Sequence, residues 1–337
     1  MFNSDLLFSH NYGCARPKPA DLLTVPATKL FTFADKLDGL TFQRLDVGPN
    51  DDPLILLNNS RPLPKISPGL YPDKAAVDQF EEVMHFNIEL SFSISAKYKI
   101  VHFYDGKFTE VVLEQKGRLG YPVQPLRENY LLCGSKLTRT SSEGYNAVVV
   151  DRDGVVLRRL NLGFGLEGMQ TTRNGNIWTY YGDEGVFSKD TVSGKIIACF
   201  DSDGKHQYPD SFNETFEYWC TAVNVESDNS VWFAPSQGSL VQVENFSVKT
   251  ITTKQLGGSG AFAIHEQHAF WAPSYPDIME VDFFVASNLK TGKNKFYQAV
   301  DVDGKRLDHA HYAARGSRMY FTVNHDVYVI DMKDIQF

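Results

Sequence analysis

Short apolar runs alternate with polar turns along the chain, a pattern typical of β-strands joined by hairpins. Four of the turns carry the pair Asp-Gly and are spaced by one or two periods of about 50 residues. These turns are Asp105-Gly106, Asp153-Gly154, Asp203-Gly204 and Asp303-Gly304. Because both central residues of a tight primed turn need positive φ, Asp-Gly between apolar runs predicts a hairpin. The regular spacing predicts a repeat architecture.

A second recurring segment lies between those turns and reads strand, turn, strand. Met169–Tyr180 contains an Asn-Gly turn followed by Ile-Trp, and Val223–Phe233 repeats the pattern with Val-Trp. One repeat is therefore two hairpins, or four short strands. A four-stranded sheet this short cannot bury both faces alone, so copies must stack face to face, and radial closure protects their edges. The sequence predicts an all-β fold, a β-propeller of six blades, with seven blades as the alternative.

The order of these motifs resembles the NHL-type propeller repeat. The best match covers residues 168–205, where Gly175–Trp178 and Phe200–Lys205 stand in the order of that family. Outside it the match weakens: residues 219–252 lack the second Asp-Gly, and residues before 95 match only at Asp38-Gly39. The resemblance implies a propeller fold and no particular function, because NHL-like propellers include lyases, hydrolases and binders of protein or RNA.

The length of 337 residues accommodates six repeats of about 50 residues with a short remainder. We expect one domain, residues 1–337, in which an N-terminal strand, Leu30–Phe33 or Leu40–Leu45, completes the last blade. Residues 48–94 are rich in proline and read as an irregular insertion. Within them an N-cap residue followed by apolar residues on one helical face predicts a short helix at residues 73–86.

The formal net charge is −8, and the sequence contains no basic run. Phosphate contacts need clustered Lys and Arg, so the charge argues against general nucleic-acid binding and suits a basic protein partner. Met1–Tyr12 has no positive n-region, and its apolar run is too short for a signal peptide or a membrane span. We therefore predict a cytoplasmic protein that does not bind membranes. The four cysteines form no C-x-x-C pair, and no cofactor is predicted.

The segment Lys205–Trp219 interleaves aromatic and acidic residues. Aromatic side chains dominate interface hot spots and carboxylates steer a basic partner, so this segment is the predicted interface. The alternative is a loop that folds its aromatic rings back onto the adjacent blades, and the sequence does not decide between the two. A nearby acidic turn is included in the interface. The predicted partner-binding residues are Tyr208, Asp210, Phe212, Glu214, Phe216, Glu217, Tyr218, Trp219, Asp183 and Glu184.

An alternative site is predicted at the mouth of the central channel. When the repeats are aligned on the aromatic residue of their second strand, four residues occupy one equivalent position, just before the innermost strand. These residues are Glu167, Thr221, Ser259 and His309. His309 and His311 alternate as in a strand and would point to one side, as two ligands of one metal ion require. The competing interpretation is that both histidines pack or line a solvated rim. The alternative catalytic set is His309, His311, Glu167 and Asp326.

Two functions from different classes remain. The first is a non-catalytic protein-binding propeller, such as an acidic inhibitor or immunity-type protein that masks a basic toxin or nuclease. The second is a propeller hydrolase or lyase with an active site at the channel mouth, metal-dependent if the two histidines bind an ion. We favour the first because of the net charge, the aromatic acidic segment and the lack of a convergent catalytic set in the sequence.

Overall fold

The computed structural model describes residues 18–59, 95–116, 119–134, 145–188, 190–209, 219–236, 239–251, 259–273 and 283–335. These residues form six β-sheets, the blades, each with at least four strands. The chain passes through the blades in order, so every sheet consists of consecutive strands apart from two N-terminal additions. This is a six-bladed β-propeller, and it confirms the predicted fold class.

Two short strands precede blade 1: β1 (Leu23–Pro26) and β2 (Thr28–Thr32). Blade 1 contains β3 (Thr41–Val47), β4 (Pro53–Asn58), β5 (Ser95–Tyr104) and β6 (Lys107–Lys116). Blade 2 contains β7 (Leu119–Leu126), β8 (Asn129–Gly134), β9 (Ala147–Val150) and β10 (Val156–Leu160). Blade 3 contains β11 (Leu166–Thr171), β12 (Ile177–Tyr181), β13 (Ile197–Phe200) and β14 (His206–Tyr208).

Blade 4 contains β15 (Cys220–Ser227), β16 (Ser230–Pro235), β17 (Leu240–Glu244) and β18 (Ser247–Ile251). Blade 5 contains β19 (Ser259–His265), β20 (His268–Pro273), β21 (Phe284–Asn288) and β22 (Asn294–Val300). Blade 6 contains β23 (Ala310–Arg315), β24 (Arg318–Val323) and β25 (Asp326–Asp331). The helical elements are α1 (Asp183–Val186) and the 3₁₀ turns Pro19–Asp21, Ala34–Lys36, Ser193–Lys195 and Met332–Asp334.

The N-terminal strands join the last two blades. Strand β2 pairs antiparallel with β25, with Thr28 opposite Val329, and is the outer strand of blade 6. Strand β1 pairs parallel with β22 and adds a fifth strand to blade 5. Residues 40–45, the other segment considered for closure, lie at the start of blade 1, where β3 begins at Thr41. Because β1 and β2 complete the sheets of blades 5 and 6, strand pairing holds the ring closed.

The Asp-Gly turns are of two kinds. Asp105 and Gly106 form a two-residue loop between β5 and β6 with φ angles of 50° and 71°, as predicted for a tight primed turn. In the three Asp-x-Asp-Gly turns only the glycine has positive φ, so the prediction of the same turn is wrong there. In each, the first aspartate accepts backbone N–H bonds from the residues two and four positions later; these aspartates are Asp151, Asp201 and Asp301. The side chain builds a longer turn.

The proline-rich segment is only partly described. Its residues 53–58 are not irregular, because they form β4, which is buried at every position. The start of that strand is a proline, a position where the missing N–H is tolerated. The predicted helix at residues 73–86 lies outside the described residues, as does everything from residue 60 to residue 94.

Six apolar clusters lie in the described part of the chain, one at each junction between neighbouring blades. At the junction of blades 2 and 3, Leu131 and Val149 pack against Met169 and Ile177. The second and third strands of blade 3, β12 and β13, are buried at every position and so are covered on both faces. This double burial is why these strands read as continuous apolar runs in the sequence.

Candidate functional site

The first strand of each blade lines the central channel, and these six strands contact one another in ring order. They begin at one face of the ring, called the upper face here, and end at the lower face, where each turns into its second strand. Five of them carry a single bulged residue near the upper end. The bulged residues are Gln43, Glu167, Thr221, Gly260 and His311.

The sequence alignment correctly pairs Glu167 with Thr221, but it is wrong for Ser259 and His309, whose places are taken by Gly260 and His311. The reason is the length of the inner hairpin turns. The turn between β11 and β12 spans five residues, 172–176, whereas β19 and β20 are joined by residues 266 and 267 alone. Counting a constant number of residues back from the second strand therefore misplaces the later blades.

His309 and His311 do not point to one side as predicted. The bulge gives His311 a φ of 46° and breaks the alternation of the strand. The His309 ring lies against Phe284 of blade 5 with centroids 4.5 Å apart. The His311 ring contacts Phe42 of blade 1 at 4.7 Å. Since the two rings pack against different blades, the strand pattern does not bring them together.

The remaining members of the alternative catalytic set lie elsewhere. Glu167 is in blade 3, and Asp326 forms an ion pair with Lys29 at 2.7 Å on the outer side of blade 6. His309 Nδ1 and the Tyr312 hydroxyl are hydrogen-bonded at 2.7 Å, and burial lowers the pKa of His309 to about 4. Within the described ranges no three His, Cys, Asp or Glu side chains are grouped to hold a metal ion. In the described chain the His309 ring packs against Phe284 and is hydrogen-bonded to Tyr312.

The upper face of blade 3 carries the described part of the predicted interface. Asp183 and Glu184 are exposed in the first turn of α1. Phe187, which sequence analysis missed, follows them and is 76% exposed. Tyr208 instead lies against Trp178 and Phe246 at 5.9 and 5.6 Å, so this ring folds back onto the blades. Trp219 is half-buried, and the rest of the predicted segment, residues 210–218, lies outside the described residues.

The channel interior is filled by side chains that join the blades. Asp46 of blade 1 accepts from the backbone N–H of Val123, and Gln124 of blade 2 accepts from that of Thr171. Gln170 of blade 3 accepts in turn from the backbone N–H of Val225, in the inner strand of blade 4. All of these side chains are buried. The channel is therefore a polar core over this depth.

A groove between blades 6 and 1 opens on the lower face, with a volume of about 500 Å³. It draws on five separate stretches of chain: β1 and β2, the turn before β4, the hairpin after β5, the start of β24, and the segment from β25 to Asp334. The polar and aromatic lining consists of Thr28, Asn50, Asp51, Asp52, Asp105, Asp331, Asp334, Arg318, Phe103, Tyr104 and Tyr320. Five aspartates against one arginine make this an acidic groove.

Part of the charge in the acidic groove is paired internally. Arg318 contacts Asp331 at 3.0 Å and Asp51 at 3.3 Å. Burial opposes ionisation of Asp331, but hydrogen bonds led by that from Arg318 hold its pKa below the usual range. Asp105 and Asp334 are exposed and make no ion pair with any described residue. Their carboxylates are thus available to a ligand.

A second cavity of about 500 Å³ lies at the lower mouth of the channel and shares Asp51 and Arg318 with the acidic groove. Its charged lining is Asp51, Glu226, Asp228, Arg173, Arg315, Arg318 and Lys333. Arg315 is only 5% exposed, and its Nη2 donates to the carbonyl of Thr171 at 2.6 Å. Sequence analysis missed both cavities, because their residues are distant in the chain and form no local motif.

No protein-family model matches the sequence, and no curated protein matches it. Among solved structures the chain is similar to one in the mitotic checkpoint complex, with 11% identity and a TM-score of 0.46 over 94% of this chain and 95% of that one. It is similar to BamB from Moraxella catarrhalis, with 11% identity, a TM-score of 0.38 and coverage of 70% and 78%. For the WD40 β-propeller domain of Doa1 the values are 8%, 0.41, 70% and 74%. These likenesses assign no activity or partner to this chain, and the NHL-type resemblance stays a prediction.

A search of the described residues for a helix that is long and apolar enough to cross a membrane finds none.

Proposed function

We propose that this propeller is a non-catalytic protein-binding module and that the acidic groove between blades 6 and 1 receives a basic segment of its partner. The observation that carries the proposal is the lining of the groove, in which five aspartates and one arginine leave four net negative charges when all are ionised. Complementary charge raises the rate of encounter and selects the partner.

The groove offers an aromatic contact as well as charge. Tyr104 is 54% exposed at its edge and stands next to Asp105. A Lys or Arg side chain that enters the groove can place its cation over the tyrosine ring while it pairs with a carboxylate, and both contacts strengthen when water is excluded. This combination of aromatic and acidic groups is what sequence analysis sought in residues 205–219.

In its finer form, the proposal makes the chain an acidic inhibitor or immunity-type protein that masks a basic partner such as a toxin or nuclease. The net charge of −8 supports this form. The upper face, with Asp183, Glu184 and the exposed Phe187, is a second surface for the same partner. The hydrolase or lyase alternative is supported by no observation, since His309 packs as an uncharged ring away from Glu167 and Asp326.

The test is affinity capture from lysate of the source cell with the wild type, the variant Asp105→Lys/Asp334→Lys and the control Asp153→Lys/Asp303→Lys. The control reverses two turn aspartates that are also exposed but lie outside the groove, and it changes the net charge by the same amount. We expect a basic protein on the wild type and the control and its loss from the groove variant. If both variants retain the partner equally, the groove is not its binding site. If both lose the partner equally, it is held only by long-range electrostatic attraction.

A further inference from the structure

Arg315 at the lower mouth of the channel is a buried cation that forms no ion pair with a carboxylate of the described residues. Its Nη2 donates to the Thr171 carbonyl, but its Nη1, which is also buried, has no hydrogen-bond partner among them. Burial lowers the pKa of Arg315 to about 10, so the guanidinium stays charged at neutral pH. A buried charge is costly unless it is paired, and this side chain lines a cavity.

The carboxylates around Arg315 bond to other donors. Asp52 accepts from His102 Nε2 at 2.6 Å and from the N–H of Asn50 at 2.7 Å. Asp228 accepts from the N–H groups of Arg173 and Asn174. Glu226 accepts from Ser230 and Trp232 on its own hairpin. These carboxylates therefore balance the charge of Arg315 only at a distance.

A second buried side chain contacts the same residue. Gln124 is fully buried, and its Oε1 accepts from the N–H of Thr171, the residue whose carbonyl holds Arg315. Its Nε2 has no partner in the described ranges. Thr171 at the lower end of the channel therefore bonds to two side chains that each keep a buried donor without an acceptor among the described residues.

We propose that the lower mouth of the channel binds a small oxyanion, a carboxylate or a phosphate, on the guanidinium of Arg315. Arg173, Arg318 and Lys333 line the same cavity together with Asp51, Glu226 and Asp228, so with Arg315 the lining carries one net positive charge when all are ionised. The Thr171 carbonyl holds the guanidinium in place, so little ordering is needed when the anion arrives. A planar guanidinium fork suits either anion. The site does not depend on the acidic groove receiving a protein.

The test uses inorganic phosphate and acetate, titrated separately at constant ionic strength and read by isothermal calorimetry and by the thermal midpoint of the protein. The variant is Arg315→Met and the matched control is Arg158→Met. Arg158 also donates to a backbone carbonyl, Ser202 at 2.7 Å, and also has a buried nitrogen without a partner in the described chain, but it lies outside the cavity.

We expect saturable binding of at least one anion to the wild type and to the control, with the Kd of Arg315→Met raised by about tenfold or more, as the loss of a charge-assisted hydrogen bond implies. Binding of acetate but not of phosphate identifies a carboxylate ligand. Binding of phosphate but not of acetate identifies a phosphate ligand. If Arg315→Met does not fold, Arg173→Met/Lys333→Met replaces it, with an expected severalfold rise in Kd.

The proposal is overturned if neither anion binds saturably, or if the variants bind as tightly as the wild type. It is also overturned if a crystal grown with phosphate and acetate shows only a water molecule on Nη1 of Arg315. Failure of the protein-capture experiment leaves these results unaffected, because they need no protein partner.

Discussion

Gln170 of blade 3 donates from its Nε2 to the carbonyl of Ala314 in blade 6 at 2.8 Å and so spans the central channel. Its Oε1 meanwhile accepts from the N–H of Val225 in blade 4, also at 2.8 Å. Asn224 reaches from blade 4 in the same way to Gly316 in the inner hairpin of blade 6, where its Nδ2 donates to the carbonyl at 2.9 Å and its Oδ1 accepts from the N–H at 2.7 Å. Side chains at the centre of the ring therefore connect blades that are not neighbours in sequence.

Replacing Gln170 by alanine should lower the free energy of unfolding by about 2 to 3 kcal/mol, because it leaves the buried N–H of Val225 and the carbonyl of Ala314 without this partner. Urea unfolding at neutral pH measures the loss. The control is Gln207→Ala, an exposed glutamine whose removal should change the free energy by less than about 0.5 kcal/mol. An unchanged urea midpoint for Gln170→Ala contradicts the structural role of the channel network.

The two aspartates of one Asp-x-Asp-Gly turn should differ in their effect on stability. Asp301 accepts the backbone N–H groups of Asp303 and Lys305, whereas the Asp303 side chain is exposed. We expect Asp301→Ala to cost about 1 kcal/mol and Asp303→Ala less than about 0.5 kcal/mol. Thermal unfolding of both variants under the same conditions checks the order. Equal effects would show that the side-chain bonds do not stabilise the turn.

His309 should make stability fall in mild acid. Burial holds its folded pKa at about 4, whereas a histidine in the unfolded chain titrates near 6.5. The unfolded state therefore takes up a proton first, so the contribution is complete above about pH 6.5 and is lost as the pH falls towards 4. We expect a loss of about 2 kcal/mol over this window, which is less than the full difference in pKa implies because His309 is partly exposed.

The variant for this test is His309→Phe, which keeps an aromatic ring against Phe284 and cannot be protonated. Its unfolding free energy should fall less between pH 6.5 and 4.5 than that of the wild type, as measured by urea unfolding at several pH values. If the two pH profiles run in parallel, His309 is not the group responsible.

The segment Lys205–Trp219 predicts a separate effect on partner binding. Reversal of Asp210, Glu214 and Glu217 to lysine should weaken the partner complex without lowering the thermal midpoint, because carboxylates steer a basic partner during encounter. The affinity of the captured partner for this variant and for the groove variant locates the interface. Normal affinity for this variant, with lost affinity for the groove variant, assigns the interface to the acidic groove.

The residues of the acidic groove could not be found from sequence. Asp51, Tyr104, Arg318 and Asp334 come from four separate stretches of the chain, and no local pattern marks any of them. Sequence analysis chose residues 205–219 because aromatic and acidic residues are contiguous there. Of that segment the structure describes Tyr208, which packs on Trp178, whereas residues 210–218 lie outside the described chain and their role stays a prediction. Phe187, which is exposed, lies outside the segment.

The sequence by itself determined the β class and the four-stranded repeat and favoured six blades over seven, because apolar alternation and turn residues are local and recur with the period of the repeat. Tertiary structure decided where the bulges fall, which histidines meet which blades, and where charge collects. A difference of one residue in the length of a turn changes which residue falls at a given position of the next strand. Closure of the ring by β2 brings Asp334 and Asp105 into one groove. Such contacts depend on the whole ring, so no segment of the sequence contains them.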